Sequence, residues 1–208
     1  DALLGENGDA VTGTNGFNYY IYNSKLNIFT SGPIRLQDKS GSNFRSTEQV
    51  AGTFHANGID IWISTHESTK TGTQKFFSYL LTCSGIEAVP VESKTGFTVA
   101  AEGGDAAPWS GKNDNERSSL NFNWDGTKAG ATHHNGNGTW KPDESVVIMD
   151  FDNLTGEFSN GQPVMDVTNV NHTAPYDCEW SPSGNRFYVS FQCNVNSTIG
   201  YVDIGTMT

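Results

Sequence analysis

Cysteine, basic residues and long apolar runs are all scarce in this sequence. Cys83, Cys178 and Cys193 are the only three cysteines among 208 residues. They are too few and too scattered for a disulfide framework or a paired-cysteine metal site, so at most one bridge can form. Lys and Arg number 12 against 23 Asp and Glu, for a formal net charge of -11 and a pI of about 4.7. Such a chain repels a phosphate backbone or an anionic membrane surface, which argues against nucleic acid as a partner. No apolar stretch approaches the roughly 20 residues needed to span a bilayer, so no membrane insertion is expected. The opening DALLGENGDAV lacks the basic start and apolar centre of a signal peptide, and the expectation is a soluble chain that is already processed if it is exported. Runs of Ala, Leu, Glu and Lys that would favour helix are missing too.

What is present favours strands and turns. Gly is abundant at 23 residues, with Asn, Ser and Thr throughout, and 35% hydrophobic content with 12% aromatics is enough for a sizeable core. Three segments share one pattern of a polar turn with Gly followed by a strand: HANGIDIWISTH from His55, NWDGTKAGATHH from Asn123 and WSPSGNRFYVSF from Trp180. GFNYYIYN near the N-terminus reads as a degenerate first copy, and aligning the strands makes Tyr20, Trp62, Gly130 and Tyr188 equivalent. A second signature follows each later copy: KFFSYLLTCSG, SVVIMDFDNLTG and STIGYVDIGTM. Hairpin, connection and outer strand recur at roughly 40 to 70 residues, which suits four-stranded blades. The fold class is therefore all-β: a β-propeller of WD40 or YVTN type, or a partial propeller of about four blades, in a single domain over residues 1–208 that is a piece of a larger chain. An open fan of blades exposes sheet edges, so assembly with other chains is one way to close it.

The strings STEQVAGTFHANGIDIWISTHES, SYLLTCSGIEAVPV, NWDGTKAGATHH with VVIMDFDNLTGEFSN, and APYDCEWSPSGNRFYVSF follow one another in a distinctive order. In that order the chain resembles, over about residues 45 to 208, the N-terminal β-propeller region of large secreted Bacteroidetes proteins, the gliding-motility-associated or type 9 secretion cargo family. It departs from the family pattern at Cys178, in the strand-poor NWDGTKAGATHHNGNG, and in a compressed segment 1–44. The resemblance implies a propeller that is secreted or at the cell surface. It also implies a non-enzymatic scaffold or adhesion module for protein or glycan.

Several clusters bring together residue types that chemistry uses. PYDCEWSPSGNRFYVSF crowds Cys178, Glu179, Trp180, Ser181 and Ser183 together, but acyl transfer needs a base and the nearest His is His172. Small polar residues around Pro182 and Gly184 are what a hairpin turn requires, so the structural reading is preferred, with Cys178–Cys193 as the one disulfide candidate. His66, His133 and His134 follow equivalent strands; with His55, Asp60 or Glu67 nearby, a metal site can be imagined, and Asp150 and Asp152 in DFDNLTGE suggest a calcium loop. The competing accounts are solvated histidines and a tight turn at Asn153–Gly156 capped by Asp152. No cofactor is required on these grounds, calcium being the one candidate. The longest stretch without strand character, residues 101–118, offers Trp109, Asp105 and Asn113 as a ligand-binding loop for sugar. Three functions follow: the scaffold; a propeller enzyme of lactonase or glycan-lyase type with a divalent ion at the central opening; or a subunit of a larger extracellular fibre or assembly whose neighbours complete its blades.

Overall fold

In the computed structural model, residues 16–68, 73–99, 119–133, 146–164, 173–193 and 197–206 are described. They form fourteen strands in four antiparallel sheets, with a single 3-10 turn at Ile204–Thr206. The first sheet pairs β1 (Asn18–Asn23) with β2 (Ile28–Arg35). The second runs β3 (Ala51–Phe54), β4 (Ile61–His66) and β5 (Thr73–Thr82), and β5 also pairs with β6 (Gly85–Ile86) and β7 (Val91–Val99). The third is a four-strand meander of β8 (Leu120–Phe122), β9 (Lys128–Thr132), β10 (Val146–Asp152) and β11 (Glu157–Pro163). The fourth holds β12 (Thr173–Trp180), β13 (Arg186–Cys193) and β14 (Thr198–Asp203).

The registers make the repeat literal. Thr53 faces Trp62, Asn121 faces Gly130 and Glu179 faces Tyr188, so Trp62, Gly130 and Tyr188 occupy one position in three blades. Their hairpin turns close alike: Gly58, Gly126 and Gly184 all adopt positive φ, between 66 and 71°, which costs glycine little and other residues much.

Tyr20 does not join this set. The turn after β1 matches instead the turn between β10 and β11. Asn23 Oδ1 accepts from the backbone N–H of Lys25 and Leu26, as Asp152 Oδ1 does from Leu154 and Thr155. Asn27 and Gly156 then take the same left-handed place, and Tyr22–Phe29 and Asn23–Ile28 repeat the register of Phe151–Phe158 and Asp152–Glu157. The β1–β2 pair is thus the outer half of a blade, not a first hairpin.

The sheets stack face to face with one apolar layer between each neighbouring pair, as alternation along each strand demands. Leu36, Phe44, Phe77 and Tyr79 fill the first layer. Trp62, Phe76, Phe122, Met149 and Phe158 form the second, with Ala129 and Ala131 of β9. Val146, Ile148, Cys178, Trp180, Phe187 and Val189 form the third. In β9 the alternating partner Gly130 turns the other way and leaves room for the Phe187 ring. The first strands β3, β8 and β12 pack beside one another along one edge of the stack. This is the propeller arrangement. The outer face of β1–β2 exposes Tyr20, Tyr22 and Phe29, β14 exposes Ile199 and Tyr201, and no sheet closes the ring among the described residues. The described architecture is a partial propeller.

Candidate active site

Antiparallel pairing sorts the connections between strands into two ends of the stack. The short turns Ala56–Gly58, Asp125–Gly126 and Asn153–Gly156 lie at one end. At the other end lie the last residues of β4, β9, β11 and β13 and the first residues of β5, β8, β10 and β12. It is at this second end that polar side chains are buried between the second and third sheets.

His66 closes β4 and His133 follows β9; both are 1% exposed. Aligning the two strands by register sets His66 level with position 134 and Thr65 level with His133. The one-residue offset puts the two imidazoles on opposite faces of their own sheets. Consecutive sheets oppose opposite faces, so the rings meet in the layer between them, with centroids 5.4 Å apart. Phe76 flanks the His66 ring at 4.5 Å.

Gln49 completes the cluster. The segment before β3 runs antiparallel to the end of β4, held by Thr47 N–H to the His66 carbonyl at 3.0 Å and Thr65 Oγ1 to the Gln49 carbonyl at 2.7 Å. That carries the Gln49 side chain, itself buried, onto the third sheet. Its Nε2 donates to the Thr132 carbonyl at 3.0 Å and lies 3.2 Å from His133 Nδ1. A carbonyl only accepts, which orients the amide, so the second N–H of Gln49 points at Nδ1. Burial, and then the neighbouring His66, hold the His133 pKa well below the usual 6.5. Burial thus favours the neutral imidazole, with Gln49 Nε2 set against its Nδ1. Neither His133 Nε2 nor Gln49 Oε1 finds a partner among the described residues, and unpaired buried groups of this kind are costly. Ser64 and Ser78, joined by a hydroxyl contact of 3.0 Å, continue the buried polar strip.

The other candidate residues are distributed elsewhere. Asp150 is ion-paired to Lys128 at 2.8 Å and accepts from Asn160 Nδ2, interactions that hold its carboxyl below the usual range. Asp152 caps the turn at Asn153–Gly156. Both lie toward the opposite end from His133, since Lys128 and His133 are separated by five strand steps, roughly 16 Å. The four residues proposed for a metal therefore split into two pairs and form no common centre. No group of three or more His, Cys, Asp or Glu converges among the described residues. His55 lies at the turn end too, its Nδ1 accepting from Asn57 N–H and its Nε2 3.1 Å from the Leu154 carbonyl. Asp60 accepts from Asn57 Nδ2, and Glu67 pairs with Lys75 at 3.8 Å.

The segment around Cys178 is structural. Ser181 Oγ accepts from the Arg186 N–H and contacts Ser183 Oγ, Trp180 Nε1 donates to the Asn121 carbonyl, and Cys178 is a buried free thiol pushed up to about 12 by desolvation. The Cys178–Cys193 bridge is corrected by the ladder: Cys178 faces Val189 while Cys193 faces Thr173. Four strand steps along β13 exceed the roughly 7 Å reach of a disulfide. Asp105, Trp109, Asn113 and His134 lie outside the described residues. Gln49 carries no motif, and only the register of the chain before β3 reveals it.

No protein-family profile and no curated protein matches the chain. Among solved structures it is similar to the periplasmic gluconolactonase of Pseudomonas aeruginosa, with a TM-score of 0.52 and 11% identity over 88% of this chain and 45% of that one. The chain thus spans less than half the length of that protein, and the likeness is one of fold. An exo-beta-1,3-galactanase from Phanerochaete chrysosporium also matches, at a TM-score of 0.37 and 10% identity over 90% of this chain and 43% of that one. The expected non-enzymatic scaffold is corrected by the first of these comparisons: the solved structure whose fold the chain shares is that of an enzyme. That fold favours the alternative of a propeller enzyme of lactonase or glycan-lyase type. No helix among the described residues is long and apolar enough to cross a membrane.

Proposed function

We propose that the chain is part of a propeller hydrolase, acting outside the cytoplasm, that opens a lactone or a sugar-derived ester. The observation that carries this reading is the convergence of two buried histidines from adjacent blades, one of them held neutral with its Nδ1 occupied. The fold is shared with a periplasmic gluconolactonase, which supports the substrate class and the compartment. A net charge of -11 also favours a neutral substrate over a polyanion.

The chemistry follows from the two imidazoles. A water oxygen bonds to the ester carbonyl carbon while His66 takes the water's proton, and the carbonyl π electrons move onto oxygen. That oxyanion is met by the Nε2–H of His133, a donor set in place before charge develops. Collapse re-forms the carbonyl and breaks the bond to the ring oxygen, which leaves with the proton carried by His66. One water is added and nothing is oxidised or reduced.

The test is proton release from the purified full chain supplied with aldonolactones, aliphatic lactones and acetylated sugars, followed with a pH indicator. Saturable hydrolysis is expected. His133→Gln should lower kcat/KM by about 100-fold or more, the usual contribution of one proton-transfer or oxyanion group, with the melting temperature retained. Background rates on every substrate, or an unaffected His133→Gln variant, would overturn the reading.

A further inference from the structure

We infer that Gln49 presets His133 as a hydrogen-bond donor at Nε2, so that the histidine pair receives an acceptor oxygen and rejects a divalent cation. This rests on the reading of the pair as the chemical centre, and it specifies the ligand that centre takes.

The Gln49 amide has two N–H groups and no freedom in how they are spent. One goes to the Thr132 carbonyl at 3.0 Å and the other points at His133 Nδ1 at 3.2 Å. Neutral imidazole has one N–H and one lone pair. With the Nδ1 lone pair engaged, the proton is on Nε2.

A metal ion would need the opposite arrangement. It takes a lone pair, and among the described residues the ring nitrogen of His133 not already occupied is Nε2. Binding there would move the proton to Nδ1, where it would confront the N–H of Gln49, donor against donor. Turning the amide over relieves that clash but sets Gln49 Oε1 against the Thr132 carbonyl, acceptor against acceptor. Metal-ligating histidines are normally backed by an acceptor on the remote nitrogen; here a donor stands in that place. Nor does any carboxylate or thiolate complete a third ligand among the described residues. An ester carbonyl, its oxyanion or a carboxylate oxygen meets none of these obstacles. It supplies the partner that the buried Nε2–H lacks.

Gln49 acts through His133 and is a positioning residue, so the deciding readout is the proton's location. The full chain, with histidines labelled in nitrogen-15, is examined by long-range nitrogen–carbon-bound-proton correlation, with His133 assigned by its loss in His133→Gln. The expected spectrum shows Nδ1 unprotonated and Nε2 protonated. Gln49→Glu places an acceptor at Nδ1, enforced by the negative charge even though its other oxygen then opposes the Thr132 carbonyl; it should transfer the proton to Nδ1 and tighten zinc binding, read on the same resonances, by about tenfold or more, the scale of such outer-shell partners. Wild-type chain should bind zinc at His133 at least that much more weakly. An Nδ1-protonated wild type, or zinc uptake at His133 as tight in wild type as in Gln49→Glu, would overturn the inference. Should Gln49→Glu fail to fold, the wild-type tautomer decides alone. If the tautomer and zinc results hold while no lactone or ester is hydrolysed, the proposed reaction fails and the donor assignment stands. Hydrolysis accompanied by the reverse tautomer sinks the assignment and leaves the reaction.

Discussion

Replacing Gly130 by alanine tests the packing of the third sheet on the fourth, at the face of β9 opposite the one toward which His133 points. A Cβ on Gly130 would lie 2.2 Å from both Cε2 and Cζ of Phe187 and 2.9 Å from Cδ2. Phe187 is fully buried and its ring is held against Trp180 at a centroid distance of 4.9 Å, so it has nowhere to retreat. Gly130 is not in the left-handed region, and the cost is steric alone. Overpacking of a well-filled core costs about 1 to 3 kcal/mol, and contact with a rigid ring on three atoms argues for roughly 3. For a chain of this size each kcal/mol lowers Tm by about 2 to 4 °C, which gives a fall of about 6 to 12 °C. Scanning calorimetry of Gly130→Ala, Phe187→Leu and the double variant reads this directly. Because leucine removes the clashing ring atoms, the double variant should recover about 1 kcal/mol or more relative to the sum of the singles. A Gly130→Ala melting within about 2 °C of wild type, or strict additivity, would show that the third and fourth sheets do not pack as described.

Other outcomes follow from single residues. The folded chain keeps His133 neutral while the unfolded chain takes up a proton near 6.5, so below that pH the unfolded state binds more protons and stability falls as the solution is acidified. The contribution approaches about 1.4 kcal/mol per pH unit below 6.5 and vanishes above it; denaturant titrations at pH 7 and 5 should show a flatter dependence in His133→Gln, and identical slopes would refute the assignment. Trp62→Phe loses the indole donor to the Asn153 carbonyl at 2.9 Å, but that carbonyl still accepts from Ala56 N–H, which limits the loss to about 1 kcal/mol by equilibrium unfolding. In a Cys83→Ser, Cys193→Ser background, the Cys178 thiol, buried and pushed up to about 12, should resist a disulfide reagent at pH 8 and react fully only in denaturant; rapid native labelling would contradict its burial.

The repeat was legible because turn chemistry is local. Gly58, Gly126 and Gly184 each follow a short polar run, and a residue that must take positive φ announces itself in the letters. The same logic was available in YNSKLN but was masked. Asn23 and Asn27 stand where DNLTG has Asp152 and Gly156, and Asn substitutes for both because it caps through Oδ1 and tolerates the left-handed region. The aromatic spelling of GFNYYIYN, shared with hairpin strands, pointed to the wrong half of a blade.

The histidine pair was half legible, for a reason that lies in sheet geometry. Equivalence between repeats predicts that matched positions surround a common axis, so His66 invites comparison with position 134, its partner in register. Contact across the layer between two blades obeys a different rule. There, residues of opposite parity meet, because the facing surfaces are the front of one sheet and the back of the next. His133 satisfies that rule through an offset of one. Parity also governs Ala129, Ala131 and His133, which point toward the second sheet, while Gly130 and Thr132 point toward the fourth. A search for interblade chemistry in repeated β-sequences should therefore compare each polar strand-end residue with positions one away from its equivalent. In this chain that comparison selects His133 for His66, and the buried Gln49 then follows from the strand that begins beside them.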